Sequence, residues 1–227
     1  MITFRNVTKI YYPNIVAVEK ASFEIKKGEF VIFVGRSGAG KSTILKLIRK
    51  EEIPTEGSIF YKNLEYKKIK GREITTLRKK IGIIFQDFKL LEDRTVYDNL
   101  RIPLEIMGFS NKEILKKTEE LLRMADLWSH RKILAKYLSG GEKQKLAAVR
   151  ALSTDPEVLL ADEPTGNLDP ISAMEIVELL KNINQQGVTI ILATHQKDIV
   201  NYLNKRVITL HQGRIVRDEN PGKYTLV

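Results

Sequence analysis

The residues Gly35-Arg36-Ser37-Gly38-Ala39-Gly40-Lys41-Ser42 fit the pattern G-x-x-x-x-G-K-[ST], and Thr43 comes directly after. Glycines at this spacing let a loop curl until several backbone N–H groups face one polyphosphate. A helix opening at Lys41 adds the partial positive charge of its N-terminus. Lys41 then reaches the β- and γ-phosphates, and the Ser42 hydroxyl suits a Mg²⁺ ion. A second pattern, Val158-Leu159-Leu160-Ala161-Asp162-Glu163, is an apolar run ending in two adjacent carboxylates. Asp162 is placed to face the metal, and Glu163, one residue on, to orient or deprotonate an attacking water. A third, Leu138-Ser139-Gly140-Gly141-Glu142-Lys143-Gln144, is another Ser/Gly turn that opens a helix. Its free N–H groups and dipole suit an anion, with Ser139 as an added donor. A plain helix cap needs Ser139 alone and does not ask for two glycines.

These groups need a sheet to hold them. Phe30 to Val34 is a short β-branched and aromatic run closed by Gly35, and a helix begins at Lys41 with Ile44, Leu45 and Ile48 at helical spacing. Further apolar strands are expected at Ile81 to Phe85, Val158 to Ala161, Val188 to Ala193 and Val207 to Leu210, with helices such as Ser172 to Asn184 and Glu142 to Ser153 between them. Short, wholly apolar strands alternating with helices predict an α/β fold with a mostly parallel sheet covered on both faces. From about 95 to 137 the strands stop. Asn111 to Leu127 sets Ile114, Leu115, Thr118, Leu121, Leu122 and Ala125 on one stripe of a helix that Ser110 or Asn111 would cap. This segment is expected as a helical insertion, its stripe packed as core, between core portions 1–94 and 138–227.

Composition narrows the class. At 227 residues, with 43% hydrophobic and 29% charged, the chain has the make-up of a globular domain. It has no cysteine, which excludes disulfides, thiol catalysis and thiolate zinc sites. No apolar run approaches the roughly 20 residues needed to cross a bilayer. Lys plus Arg total 38 against 28 Asp plus Glu, a net charge of +10, which favours polyanions without choosing among nucleotides, nucleic acid and a membrane face.

The glycine loop together with LSGGEKQ resembles the nucleotide-binding domain of the ABC ATPases, and the resemblance covers essentially the whole chain. Other motifs of the family fall in order: Tyr11 resembles the adenine-stacking aromatic, Gln86 the Q-loop glutamine, Asn167-Leu168-Asp169 the D-loop and His195 the switch histidine. The resemblance implies a P-loop core with an N-terminal antiparallel β region and an inserted helical subdomain. It implies ATP and Mg²⁺ as ligands, with Ser42, Gln86 and Asp162 toward the metal. Glu163 would be the general base, His195 would contact the γ-phosphate, and Gln86 would link the metal to the insertion. It also implies a head-to-tail homodimer sandwiching two ATP, in which Ser139, Gly140 and Gly141 of one chain, with Asp169, close over the nucleotide held by Gly35, Ser37 and Gly38 to Thr43 of the other.

Within the family, the stretch Gln86 to Leu100 and the stretch Ala161 to Asp169 are most similar to the cell-division branch. The lipoprotein-release and macrolide-export ATPases share the second stretch but usually differ around Asp93 to Asn99. The resemblance thus implies a separate integral-membrane partner, a place on the cytoplasmic side of the cell membrane, and a groove for that partner at Phe88, Leu90, Leu91 and Tyr97. Nucleic-acid-acting relatives usually carry a coiled-coil insertion or two cassettes, so nucleic acid is not expected as the partner. A P-loop kinase would leave LSGGEKQ unexplained. Two positions depart from many relatives: Gln196 stands for Asp after His195, and Lys50 for Gly after the first helix.

Overall fold

The computed structural model describes residues 1–225. Its elements in chain order are β1 (Ile2–Tyr11), β2 (Ile15–Ile25), β3 (Phe30–Val34), α1 (Lys41–Ile48), β4 (Glu56–Tyr61), β5 (Leu64–Glu65), α2 (Arg72–Lys79), β6 (Ile81–Ile84), α3 (Val96–Ile106) and α4 (Asn111–Met124). The chain continues with α5 (Gly140–Leu152), β7 (Val158–Asp162), α6 (Pro170–Gln185), β8 (Thr189–Ala193), α7 (Lys197–Leu203), β9 (Arg206–His211) and β10 (Arg214–Glu219). One sheet is antiparallel, in the order β2-β1-β4-β5. The other has six strands in the order β10-β9-β3-β8-β7-β6, parallel except for the edge strand β10.

β3 shows why the parallel strands are apolar throughout. Val31 and Phe33 face the layer formed by the antiparallel sheet and α1, where Phe33 meets Phe23 edge-on at 5.4 Å. Phe30, Ile32 and Val34 face α5, α6 and the inserted helices. Both faces are buried, so the period-2 alternation of polar and apolar residues disappears. Each side chain removed from water in this way contributes about 1.5–3 kcal/mol.

The two inserted helices and the core helix that follows them begin with reciprocal side-chain caps. Thr95 with Asp98, Ser110 with Glu113, and Ser139 with Glu142 each form a capping box at the start of α3, α4 and α5. On α4, Ile114, Thr118, Leu121 and Leu122 are buried as the stripe requires. Leu115 is 53% exposed and lies off it, so the packed face is narrower than the sequence pattern suggests.

Lys50 adopts φ +53°, the left-handed region that glycine occupies most easily. Its ammonium donates to the carbonyls of Tyr66 and Ile69, and the Tyr66 hydroxyl donates to Ile48 O at 2.5 Å. These bonds offset the backbone cost that a glycine would have avoided. The turn is kept.

Candidate functional site

Four neighbouring strands assemble the site. β3, β8, β7 and β6 run parallel, so their C-terminal ends share one sheet edge. In that order, the four strands lead into the glycine loop, His195, the Asp162-Glu163 pair and Gln86. With neighbouring strands about 4.8 Å apart, segments remote in the chain converge within roughly 15 Å. There they line a cleft of about 680 Å³ whose walls include Ser37, Gly38, Gly40, Lys41, Ser42, Thr43, Gln86, Asp162, Glu163 and His195.

The glycine loop is shaped from behind. Gly35 has φ +152° and Gly40 φ +105°, and a Cβ on either would stand 2.5 Å from Leu210 O or 2.4 Å from Ala17 O, respectively. Gly35 and Ala39 form the back of the loop and do not line the cleft. α1 differs from α3, α4 and α5 at its start: Gly40 supplies no side-chain cap, and the first-turn N–H groups stay available to a ligand.

Lys41 is 6% exposed. Its Nζ donates to Gly35 O at 2.7 Å and Arg36 O at 3.3 Å, and lies 3.5 Å from Glu163 Oε1. Glu163 has φ +47°, a left-handed backbone that turns its side chain back over the cleft. Its Oε2 lies 2.9 Å from His195 Nδ1 and accepts the His195 backbone N–H at 3.3 Å. The Ser42 hydroxyl donates to Asp162 Oδ1 at 3.1 Å. Burial lifts the Asp162 carboxyl above the ordinary aspartate value; the Ser42 bond opposes this and the neighbouring Glu163 charge adds to it. A buried carboxylate beside a hydroxyl suits a hard divalent cation that takes oxygen ligands.

Gln86 Nε2 donates to Asn167 Oδ1 at 3.2 Å, which ties the turn after β6 to the one after β7. Gln196 is locked to the same turn. Its Oε1 accepts from the Thr165 hydroxyl at 3.0 Å and its Nε2 donates to Thr165 O at 3.1 Å. The amide supplies an acceptor and a donor together, whereas an ionised aspartate supplies only acceptors.

The other sequence-predicted residues lie elsewhere. Tyr11 is partly exposed under the Lys9 ammonium, 4.9 Å from its ring centroid, and the cleft receives Ala17 of β2 instead. Ser139, Gly140, Gly141 and Asp169 are outside the cleft of their own chain. The Ser139 hydroxyl donates to Glu142 Oε2 at 2.7 Å, and this bond, with the Ser139 backbone N–H, holds the Glu142 carboxyl below the ordinary glutamate range. Asp169 caps α6, accepting from the N–H groups of Ile171 and Ser172 at 3.0 Å each.

Gly141 has a structural duty as well. A Cβ there would stand 2.7 Å from Ser172 Oγ and 2.9 Å from Ser172 Cβ, so the starts of α5 and α6 are in glycine-only contact. Gly141→Ala is expected to cost about 1–3 kcal/mol as overpacking. Thermal unfolding checks it; an unchanged midpoint would show that the two helix tips do not touch. Among the wall residues, sequence reasoning missed Ala17, Arg36, Phe85, Asp87 and Tyr224. Arg36 and Asp87 belong to or adjoin motifs, but Tyr224 has no local signal.

Residues 18–166 match the sequence model of the ABC transporter family. The chain is 44% identical over 224 residues to the cell division ATP-binding protein FtsE of Bacillus subtilis, covering 99% of this chain and 98% of that protein. It is also 44% identical over 225 residues to FtsE of Mycobacterium tuberculosis, at 99% and 98% coverage. Among solved structures, a dimeric ATP-binding cassette in a post-hydrolysis state, bound to ADP and Pi, superposes with a TM-score of 0.87 at 35% identity, covering 99% of this chain and 100% of that one. The geometry of the cleft and these likenesses agree: the chain belongs to the ABC transporter family and is an ABC-type ATPase.

Proposed function

We propose that this chain is the ATP-hydrolysing subunit of a membrane-coupled complex that acts in cell division with an integral-membrane partner of the FtsX type, regulating peptidoglycan hydrolysis. The observation that carries the reading is the split of the predicted ligand groups. Lys41, Ser42, Asp162, Glu163, His195 and Gln86 share one cleft, while the Ser139 turn, an anion-ready helix tip, lies outside it. A head-to-tail homodimer gives that tip a phosphate to meet, with one nucleotide in each of two composite sites.

Within that dimer the N–H groups at the start of α1 and the Lys41 ammonium hold the phosphates. Glu163, already beside His195, accepts the proton of the attacking water. His195 keeps that carboxylate turned toward the reacting face. Ser42 and Asp162, with Gln86, would hold Mg²⁺, which offsets phosphate charge when bound.

Residues 95–137 form the helical subdomain that meets the partner in this reading, with 1–94 and 138–227 as the α/β core. Tyr97, Leu115 and Trp128 line a groove of about 320 Å³, and Leu91 is 43% exposed nearby in the chain. Leu90 packs against the core instead and serves the groove only as support. No helix among the described residues is long and apolar enough to cross a membrane, so the proposed position on the cytoplasmic side of the cell membrane depends on that partner.

Capture of the tagged full-length chain from solubilised membranes tests the assignment. Recovery of a four-span FtsX-like protein is expected. Recovery of a lipoprotein-release or macrolide-export permease instead would move the chain to that neighbouring branch.

A further inference from the structure

The C-terminal tail runs to the hydrolytic cleft. After β10 the chain turns back across β9 and α7. Gly222 is buried, donates its N–H to Lys205 O at 2.9 Å, and leaves no room for a side chain, since a Cβ would stand 2.6 Å from Val207 Cβ. Two residues on, the Tyr224 N–H donates to Asn201 Oδ1 at 3.2 Å. Asn201 belongs to α7, the helix that begins directly after His195 and Gln196. These two anchors fix where Tyr224 goes. Its ring packs against the main core, and the side chain joins Arg36, Glu163 and His195 in the wall of the cleft.

We propose that Tyr224 is a further substrate-contacting residue of the ATPase site, its phenol donating a hydrogen bond to the terminal phosphate of the bound nucleotide. This rests on the proposed assignment of the cleft as the hydrolytic site. A tyrosine at such a boundary has an apolar body to pack and one polar tip to place. The tip faces a wall that already holds the Glu163 carboxylate and would receive a polyanion, so only a protonated hydroxyl fits there. Burial and the Glu163 charge both push the phenol above its ordinary pKa, with Arg36 opposing, which keeps it a neutral donor at physiological pH. Arg36, beside it on the glycine loop, supplies the positive charge at the same end of the cleft. The phenol feels the charges of Glu163 and Arg36, both at the phosphate-handling part of the wall, so the tail serves the phosphates and not the base.

Tyr224→Phe keeps the packing and deletes the donor. In the full-length chain this variant is expected to bind a nonhydrolysable ATP analogue about tenfold more weakly, the scale of one hydrogen bond to a charged group. ADP affinity and the unfolding midpoint should be unchanged, because neither involves a γ-phosphate, the terminal group of ATP that the phenol contacts. Turnover should fall by a similar factor. Equal weakening of ADP and the analogue, or analogue affinity within twofold of wild type, overturns the proposal. Lys41→Ala is measured in parallel. If it still binds both nucleotides normally, the cleft assignment itself fails; if it loses both while Tyr224→Phe behaves as wild type, only the role of Tyr224 fails.

Discussion

Glu163→Gln is expected to hold two chains together around Mg-ATP while lowering turnover by about 100-fold or more, the usual contribution of a positioned base. The amide keeps the shape of the side chain and its contact with His195, now 2.9 Å away, but no longer takes a proton. The phosphate-binding groups remain: the Lys41 ammonium loses the carboxylate charge 3.5 Å away but keeps its own charge for the phosphates, and the start of α1 is unchanged. Loss of the carboxylate charge also removes repulsion against the γ-phosphate. The complex should therefore form and persist. Light scattering after gel filtration reads the mass: twice that of one chain with Mg-ATP and a single chain without nucleotide. A variant that stays monomeric at high protein concentration counts against the composite site.

The second large effect is expected from Lys41→Ala, which should weaken ATP binding by about 100-fold or more through loss of hydrogen bonds to two charged phosphates. The fold should survive, because α1 is held by Ile44, Leu45, Leu47 and Ile48, all buried on the layer beneath. Without nucleotide the ammonium donates to Gly35 O and Arg36 O, and in the variant water entering from the cleft, which Arg36 lines, replaces it. Calorimetric titration with ATP measures the loss, and a melting curve separates it from unfolding. Wild-type affinity in a folded variant would mean that the glycine loop is not the site.

The parallel strands were legible because burial on both faces leaves an uninterrupted apolar run, as at Phe30 to Val34. Their order in the sheet was not legible: β8 lies between β3 and β7, and only that crossover brings His195 against Glu163. α2 escaped detection because a short, charged helix with Leu77 as its one buried side chain shows little periodicity. α3 contains Pro103, a residue that argues against a helix interior. The stretch 56–61 is too polar at its start to read as a strand, and it pairs with β1 from beyond β2, β3 and α1 in the chain. Among site residues, those in spaced motifs were found, apart from Arg36 and Asp87, and those brought in by tertiary path were not. Tyr224 reaches the cleft because Gly222 and Asn201 route the tail there, and no spacing rule encodes such a route.

The reciprocal bonds between Ser139 and Glu142 bear on how the proposed dimer comes apart. An arriving phosphate must displace a carboxylate that already occupies the serine, so part of the gain on closure is spent on eviction. The displaced group cannot diffuse off, being anchored one helical turn along the same chain. Once the phosphate is cleaved and its hold slackens, the Glu142 carboxylate, still one turn away, competes for the serine again and favours the opening of the clasp.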